Sequence, residues 1–353
     1  MVRARTRLPS CRPCSAAALS EGALHSRVER LDLVSPWRIS HGVSTERTTV
    51  ILELDGGYGE AAIVPYLGES SAEILTALAS FASDRRKLRS AGVRADAVDA
   101  IASRGAQCAV DLALHDAEGR ARGEPLWKIL GINAVSPIET SFTIAMDTPD
   151  EMARRARAAE ASILKLKMGG VDDEACVEAV RGVTNATLRL DANGGWSRED
   201  AARLIPRLAR FKIELVEQPL AVDDHEGFAW LRAQQIGVPI FADESVSTVE
   251  DVDALAQSVD GIVIKLRKFG GLSQAHAAIE RARSFGLRTM MGCMIESSLA
   301  VTAAAHLALL CDLADLDAPL LIHNDPFSGL TYRGSVVILP PGSGIGAVPR
   351  GGN

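Results

Sequence analysis

A short apolar segment followed by an amphipathic segment recurs along most of this 353-residue chain, and this repeat restricts the possible folds more than any other feature. Eight candidate strands begin about 22 to 27 residues apart. They are Glu139–Ile144, Ile163–Lys167, Thr187–Asp191, Glu214–Glu217, Pro239–Asp243, Gly261–Lys265, Arg288–Met291 and Leu313–Asp317. A strand–helix repeat of this length, present about eight times, favours a (β/α) barrel of the α/β class over an open sheet.

The residues before the repeat have a different pattern, with strand-like segments first and helix-like segments afterwards. The strand-like segments are Val28–Val34, Thr48–Leu54 and Tyr58–Val64. Asp55–Gly57 is typical of a hairpin turn, and Ser35–Gly42 is interpreted as a loop. Residues 71–130 are helical in pattern. We therefore predict an α+β domain at 26–135, a barrel at 136–322, and a C-terminal segment at 323–353 that returns to the first domain.

The first 25 residues differ from the rest, with four arginines and no acidic residue before Glu21. They contain no apolar stretch typical of a secretory signal, so we interpret residues 1–25 as a disordered extension or the product of a start codon assigned too early. An organelle transit peptide is the alternative. Of six cysteines, only Cys11 and Cys14 are closely spaced, and no second pair completes a zinc site.

Composition excludes several classes of partner. A formal net charge of −7 gives no reason to expect binding to nucleic acid or to an anionic membrane. No apolar run approaches the roughly 20 residues that a membrane span needs. Unpaired cysteines fit a reducing compartment, so we expect a cytoplasmic location. A homo-oligomer is possible, and the sequence does not define its size.

Two lysines interrupt the apolar segment Ile163–Gly170. Because strand side chains alternate between faces, Lys165 and Lys167 point to one side and the neighbouring leucines to the other. Edge strands often carry solvated lysines, so this pattern alone has an ordinary explanation. Two buried ammonium groups would instead need carboxylate partners or a chemical task.

Acidic residues end three consecutive predicted strands. Asp191, Glu217 and Asp243 are each 26 positions apart, one in each strand–helix repeat. The C-terminal ends of barrel strands meet on one rim, where barrel enzymes have their active sites. Three converging carboxylates repel each other unless a cation lies between them, and oxygen ligands of this kind suit Mg²⁺.

Lysines flank this acidic group, with Lys167 one strand before it and Lys265 one strand after it. Such a pair could remove a proton from one side of a carbon and return a proton to the other side, while the metal stabilises the enediolate. A lysine base must first be neutral, and we expect Lys165, Mg²⁺ and partial burial to lower its pKa. Each residue alone could be a turn former or a surface charge; their occurrence together at matching strand ends favours a catalytic site.

Residues 27–350 resemble the enolase superfamily, in its muconate-lactonizing-enzyme subgroup. The resemblance depends on the motifs Tyr58–Ala61, Leu126–Gly131, Lys165–Lys167, Asp191–Asn193, Glu217–Pro219, Asp243–Ser245 and Ile264–Lys265. It implies a modified (β/α)7β barrel under an α+β capping domain formed by the N- and C-terminal segments. It also implies that Lys167 and Lys265 are the acid/base pair, and that Asp191, Glu217 and Asp243 bind Mg²⁺.

Within this subgroup the chain looks most like the dipeptide epimerases, through Gly292–Glu296 and Asp315–Leu320. The resemblance implies epimerisation at the α-carbon of a C-terminal residue. Asp315 and Asp317 are expected to share a strand face and to bind the substrate ammonium, while Lys165 and Mg²⁺ hold its carboxylate. Further residues are expected at the substrate (Thr143, Cys293 and Met294) or behind the metal ligands (Asn193 and Glu244).

Substrate identity depends on two predicted capping loops. Epimerases of the Ala-Glu type often carry a basic residue in the first loop, and the aligned position here is Gly42. Arg38 or His41 could replace it, and a second specificity loop is expected around Ile63–Tyr66. The alternatives on the same site are muconate cycloisomerisation, o-succinylbenzoate synthesis and N-acylamino-acid racemisation. A non-catalytic ligand-binding barrel is a more remote one.

Overall fold

A three-stranded antiparallel sheet opens the part of the chain that the computed structural model describes, which comprises residues 24–39, 42–85 and 95–351. Its strands, in spatial order, are β1 (Leu24–Ile39), β2 (Gly42–Leu54) and β3 (Gly57–Ile63). Asp55 and Gly56 join β2 to β3 and both have positive φ, as a tight two-residue hairpin requires. The predicted hairpin is therefore confirmed.

The predicted loop at Ser35–Gly42 is wrong over its first part, because β1 continues to Ile39. Trp37 pairs with Ser44 after a shift in register that begins beyond Asp32. The shift contains Pro36, which has no N–H to donate and so interrupts the ladder without ending the strand. His41 and residues 1–23 lie outside the described part of the chain.

The helices that the structure describes next pack against this sheet or against one another. They are α1 (Ser71–Arg85), α2 (Ala95–Asp99), α3 (Arg104–Arg122) and α4 (Leu126–Ile129). Helix α3 lies so close to β3 that a Cβ atom built at Gly59 would come within 1.9 Å of the Ala109 carbonyl oxygen. Glycine at this position therefore permits the helix to pack directly against the strand.

Eight parallel strands then form one nearly closed barrel. In sequence order they are β5 (Phe142–Ile144), β6 (Ile163–Lys167), β7 (Thr187–Asp191), β8 (Ile213–Glu217), β9 (Ile240–Ala242), β10 (Gly261–Ile264), β11 (Arg288–Gly292) and β12 (Leu313–Asp315). Each strand pairs with the next one in the chain, and a parallel bridge between Thr140 and Ala314 joins the two ends of the sheet. The predicted barrel with its α+β cap is confirmed.

Helices connect consecutive barrel strands and cover their outer faces. They are α5 (Pro149–Ala158), α6 (Asp173–Arg181), α7 (Arg198–Leu208), α8 (His225–Ala233), α9 (Val249–Leu255), α10 (Leu266–Phe269), α11 (Leu272–Ser284) and α12 (Ser298–Ala308). Hydroxyl side chains cap several of them; Thr148, Ser197 and Thr248 each accept a hydrogen bond from the backbone N–H three residues later. No helix in the described ranges has the length and apolarity needed to cross a bilayer.

The predicted first and last barrel strands differ most from the structure, and four others differ by one residue at one or both ends. Residues Ile138–Glu139 (β4) do not join the barrel, because they pair with a strand near the C-terminus, and the first barrel strand begins only at Phe142. At the other end β12 stops at Asp315. Asp317 has φ −99° and ψ −1° and precedes a 3-10 turn containing Pro319, so the prediction that Asp315 and Asp317 share a strand face is wrong.

The C-terminal segment contacts both parts of the molecule. Its strands are β13 (Phe327–Ser328), β14 (Thr331–Arg333), β15 (Val336–Ile338) and β16 (Val348–Pro349). Strand β15 pairs with β4, whereas the Ile345 N–H donates to Asp116 of α3 at 2.7 Å. The segment thus contacts helix α3 of the N-terminal part as well as β4, which precedes the first barrel strand. The domain boundaries given above stay a prediction.

Buried polar contacts fix the cap over the barrel. Glu60 of β3 accepts hydrogen bonds from the Ser297 N–H at 2.9 Å, the Ser297 hydroxyl at 2.5 Å and the Ala300 N–H at 3.2 Å. These donors belong to the first turn of α12, so a carboxylate of the cap satisfies a helix N-terminus of the barrel. Arg267 adds a second link, donating to the Ala62 carbonyl oxygen at 2.7 Å and to Glu69 at 2.7 Å.

Candidate active site

Strand β6 places two buried lysines on one face. Lys165 and Lys167 point into a cavity at the top of the barrel, and they are 2% and 7% exposed. Leu164 and Leu166 point the other way into the hydrophobic core. The strand is therefore interior rather than an edge, and the ordinary explanation of solvated surface lysines does not apply.

The three predicted metal ligands lie together at the strand ends. Asp191 is paired in register with Lys167 on one side and with Glu217 on the other. Asp243 follows β9, the next strand in the barrel. All three carboxylates have no exposed surface. The parallel register of β6, β7 and β8 brings these side chains to one level of the rim.

Lys165 lies among three carboxylates. Its Nζ is 2.8 Å from Glu217 Oε1, 2.8 Å from Asp315 Oδ2 and 3.0 Å from Asp191 Oδ2. Burial favours loss of its proton, but Asp191, Asp315 and Glu217 outweigh burial and hold the pKa of Lys165 well above its ordinary value. Lys165 is thus a fixed positive charge at the centre of the site.

The two predicted catalytic lysines each contact a different carboxylate. Lys167 Nζ is 2.6 Å from Asp191 Oδ2 and lies 5.8 Å from the centre of the Trp37 ring. Lys265 Nζ is 2.6 Å from Asp243 Oδ2. Burial would lower the pKa of Lys265, but the Asp243 carboxylate outweighs it and raises that pKa well above its ordinary value. The ion pair with Asp243 acts against the lowered lysine pKa that we expect with Mg²⁺ bound.

Lys268 is a buried lysine that the sequence did not identify as part of the site. Its Nζ donates to Asp243 Oδ1 at 2.5 Å, to the Asp243 carbonyl oxygen and to the Val263 carbonyl oxygen at 3.1 Å. Burial lowers the pKa of Lys268, and Asp243 opposes that effect. In the sequence Lys268 belongs to an apparent surface run of basic residues, but the one-turn helix α10 directs it inward.

Negative charge exceeds positive charge in the site. The ionisable groups here are six carboxylates (Asp191, Glu217, Asp243, Glu244, Asp315 and Asp317) and four lysines (Lys165, Lys167, Lys265 and Lys268). Burial and the Asp191 charge raise the pKa of Glu217 well above its ordinary value, and burial with Asp243 raises that of Glu244. Full ionisation of these ten groups would leave two uncompensated negative charges, and Arg47 on the cap side of the cavity would reduce that excess to one.

One carboxylate oxygen supports the fit of a cation. Glu217 Oε2 is buried and has no hydrogen-bond partner among the described residues. No group of three or more His, Cys, Asp or Glu residues in the described ranges is arranged to hold a metal as it stands, because lysine ammonium groups lie between the acids. The unsatisfied oxygen and the excess of negative charge are both what a hard divalent cation would neutralise.

A second acidic pair closes the other side of the site. Asp315 accepts a hydrogen bond from the Ser141 hydroxyl at 2.6 Å, and Asp317 accepts one from the Thr143 N–H at 2.6 Å. Burial and the neighbouring Asp315 charge raise the pKa of Asp317 to about 7. Cys293 donates to the Asp315 carbonyl oxygen at 3.3 Å. The side chains of both aspartates therefore line one cavity although only Asp315 belongs to a strand.

The cavity lies between cap and barrel and has a volume of about 210 Å³. Of the predicted site residues, those on its wall are Lys165, Lys167, Lys265, Asp315, Asp317, Thr143, Asn193, Glu244, Cys293 and Met294. The cap contributes Trp37, Arg47 and Tyr66, whose hydroxyl is 3.4 Å from Met294 Sδ. Arg38, a candidate for recognising a substrate side chain, is exposed and does not line the cavity.

Polar groups next to the acidic residues hold them in place. Asn193 donates from its backbone to Asp191 Oδ1 and from its side chain to Glu244 Oε1, both at 2.9 Å. Gln218 accepts a hydrogen bond from the Asp243 N–H at 2.9 Å and has φ 37°, in the left-handed region. The sequence showed Gln218 only as the residue between Glu217 and Pro219, with no sign of this role.

Comparison with known proteins gives the family. A family model described as the mandelate racemase/muconate lactonizing enzyme N-terminal domain matches residues 25–131. An enolase C-terminal domain-like model matches residues 148–351, more than half of the chain. The chain belongs to the mandelate racemase/muconate lactonizing enzyme family. It is an isomerase of the racemase and epimerase class that acts on amino acid derivatives.

Similar proteins of this family span nearly the whole chain. An L-Ala-D/L-Glu epimerase from Bacteroides thetaiotaomicron is 37% identical over 316 residues, 86% of this chain and 82% of the relative. A substrate-liganded L-Ala-D/L-Glu epimerase from Bacillus subtilis has a TM-score of 0.85 at 31% identity, covering 93% of this chain and 98% of that one. A dipeptide epimerase from Enterococcus faecalis, complexed with Mg and L-Leu-L-Tyr, has a TM-score of 0.83 at 30% identity and covers 92% and 98%.

Two buried glutamates meet beside the site, where the cap contacts the loop after β11. Burial raises the pKa of Glu60. Burial and the nearby Glu60 raise the pKa of Glu296 to about 8 from an ordinary 4.5. The folded chain therefore holds a proton between these two pH values that the unfolded chain has released. The free energy of unfolding should fall as pH rises through this range.

We predict that Glu296→Gln, which stays neutral at every pH, removes this pH dependence. The melting temperature of the variant minus that of the original chain should be larger at pH 8 than at pH 5, by about 2 °C or more. Thermal unfolding measured across this range tests the expectation. Glu250→Gln at an exposed helical position is the control, and it should change the melting temperature by the same amount at both pH values. A constant difference for Glu296→Gln would mean that this carboxyl group is ionised throughout.

Proposed function

We propose that this protein is a Mg²⁺-dependent dipeptide epimerase that inverts the α-carbon of the C-terminal residue by two-lysine 1,1-proton transfer. The observation that carries the proposal is the placement of Lys167 and Lys265 around a single cavity. They lie on or directly after β6 and β10, which are four positions apart in the eight-strand order, so they face each other across the barrel. Inversion at carbon needs one proton acceptor and one proton donor on opposite faces.

The reaction follows from this placement. One lysine, as the neutral amine, takes the α-proton from its face of the substrate, and the electron pair moves toward the carboxylate. The other lysine, as the ammonium, gives a proton to the opposite face of the same carbon. The reverse reaction exchanges the two roles. Ion pairing with Asp243 holds the proton on Lys265 in this structure, so the base form requires that Asp243 share its charge with another cation.

Asp191, Glu217 and Asp243 are the residues that would hold the metal. Bound Mg²⁺ would supply positive charge that stabilises the dianion formed at the substrate carboxylate. Lys165, whose pKa is held high by its carboxylate neighbours, adds a second fixed positive charge at the same end of the cavity. Asn193 keeps Asp191 in position through its backbone N–H, and its side chain is itself held by Glu244.

Asp315 and Asp317 fit the free ammonium of a dipeptide. Asp315 is also 2.8 Å from Lys165, so the groups for the ammonium and for the carboxylate adjoin each other. The similarity to dipeptide epimerases, two of them in complexes with substrate or dipeptide, supports this assignment. An N-acylated amino acid or a muconate has no ammonium for this pair to bind, which disfavours the alternative reactions. Thr143, Cys293 and Met294 line the same cavity. The predicted cytoplasmic location and possible homo-oligomer belong to this proposal and rest on the sequence alone.

We predict that each catalytic lysine removes the α-proton from only one of the two epimers. Lys167→Gln and Lys265→Gln should each lower epimerisation about 1000-fold or more, because one proton transfer is lost. Each variant should still exchange the α-proton of one epimer, and the two variants should differ in which epimer that is. Mass spectrometry of a dipeptide library incubated in D₂O with Mg²⁺ measures the exchange.

Lys128→Gln, at an exposed lysine far from the cavity, is the matched control and should keep full activity. Deuterium at one α-carbon of particular dipeptides would identify both the reaction and the accepted substrates. If the original chain incorporates no deuterium into any dipeptide, the epimerase proposal is wrong and the protein acts on another carboxylate or binds without catalysis.

Metal removal is expected to abolish activity reversibly. Treatment with EDTA should stop proton exchange, and added Mg²⁺ should restore it. Mg²⁺ at about 100 times its Kd should also stabilise the fold by about 2.7 kcal/mol, measured as a rise in melting temperature. Glu217→Gln should lose this Mg²⁺-dependent rise, whereas Glu226→Gln on the exposed side of α8 should keep it. An equal rise in both variants would exclude Glu217 as a ligand.

The pH dependence of substrate binding should report on Asp317. Because its pKa is about 7, the carboxyl group is neutral at pH 6 and anionic at pH 8, and only the anion attracts an ammonium strongly. KM for a dipeptide should therefore fall between pH 6 and pH 8. Asp317→Asn should raise KM about tenfold or more at pH 8 and flatten this dependence. Unchanged KM values in the variant would argue for an N-acylated substrate.

A further inference from the structure

One arginine on the cavity wall, Arg47, has no acidic partner within the described part of the chain. Arg47 lies on β2 opposite Leu31 of β1, is half-buried, and lines the cavity together with the catalytic lysines. Its guanidinium donates to the backbone carbonyl oxygen of Glu46 at 3.1 Å. Across the described residues, no carboxylate forms an ion pair with it, and burial alone lowers its pKa.

Other arginines of the cap differ in this respect. Arg27 pairs with Glu29, and Arg30 pairs with Asp32. Arg38 is exposed, outside the cavity wall. Arg47 is thus a partly desolvated guanidinium that faces the substrate space with most of its donors unused by acidic groups. Burying such a group is unfavourable unless an anion compensates it, and its planar fork matches a carboxylate.

The charges of the dipeptide main chain already have partners in the proposed mechanism. Lys165 and the metal take the carboxylate, and Asp315 with Asp317 takes the ammonium. A third, cationic group on the wall is therefore available for a side chain. We infer that the preferred substrate carries an additional carboxylate in a side chain, and that Arg47 binds it. This inference rests on the proposed function and narrows its substrate class.

The wall around Arg47 suits a short acidic side chain. Ile39, Val43, Val64 and Ile295 contribute apolar surface to the same cavity, next to which the methylene groups of a glutamate could pack. Similar proteins differ in substrate, since one is named for L-Ala-D/L-Glu and another structure holds L-Leu-L-Tyr, so family membership does not decide the point.

Arg47 could supply the positive charge that the first capping loop lacks at the position aligned with a basic residue. The aligned position for a basic residue is Gly42, which has no side chain to offer. Arg47 lies five residues further on, in the regular part of β2 opposite Leu31. The hydrogen-bonded strand therefore fixes its backbone. A charge for side-chain recognition would come from a strand and not from the loop tip.

The test compares charged and uncharged side chains of equal size. Proton exchange and kcat/KM would be measured for L-Ala-L-Glu, L-Ala-L-Gln and L-Glu-L-Ala, with L-Ala-L-Leu as an apolar reference. The original chain should prefer an acidic dipeptide over the Gln counterpart by about tenfold or more. The order of the residues in the preferred substrate would show which of the two side chains contacts Arg47.

Variants then assign the preference to Arg47. Arg47→Met should remove it through a higher KM for the acidic dipeptide, with kcat/KM for L-Ala-L-Leu retained or improved. Arg47→Lys should restore part of it, because the charge remains but the fork is lost. Arg38→Met is the matched control, and it should leave the preference unchanged. Retained activity on L-Ala-L-Leu also shows that each variant is folded.

The outcomes separate the two proposals. Proton exchange from no dipeptide would overturn the proposed function and this inference together. Exchange from neutral dipeptides with no preference for acidic ones would overturn this inference alone. So would an acidic preference that persists in Arg47→Met. Loss of the preference in Arg47→Met and its partial return in Arg47→Lys would support the assignment, whichever side chain carries the carboxylate.

Discussion

The compensation of buried charge at the top of the barrel is the constraint on which the rest of this structure depends. Asp191, Glu217 and Asp243 have no exposed surface, and each would be very costly to bury ionised without a counter-charge. Lys165 and its lysine neighbours supply most of that charge within 3 Å. The barrel register sets these groups at one level, so fold and site are parts of a single arrangement.

The cap is attached to the barrel by the same kind of interaction. Glu60 of the antiparallel sheet satisfies the N-terminus of α12, and Arg267 of α10 reaches back to the Ala62 carbonyl oxygen. Both links are buried and directional, unlike apolar packing. They hold the cap in one orientation above the strand ends, which gives the cavity a defined roof that includes Trp37 and Arg47.

The strand–helix repeat was sufficient to predict the barrel. The 26-residue spacing was sufficient to predict that Asp191, Glu217 and Asp243 lie together, because the C-terminal ends of adjacent barrel strands meet on one rim. Features that depend on distant partners were missed. Ile138 joins a strand nearly 200 positions away, and Lys268 is buried only because α10 turns it toward Asp243. Neither relation is visible in the local sequence pattern, and the same is true of Arg47, which forms no ion pair with a carboxylate of the described residues.

The end of β12 at Asp315 has a consequence for how such a protein can change. Asp315 belongs to the hydrogen-bonded barrel, whereas Asp317 lies in the turn that follows it, and Arg47 lies on the cap. Lys167, which would transfer a proton, is thus part of a barrel strand, whereas Asp317 and Arg47, which would recognise the substrate, are not. Mutations at such positions could change the accepted substrate with little loss of barrel stability. The same reaction could therefore be applied to different peptides during evolution.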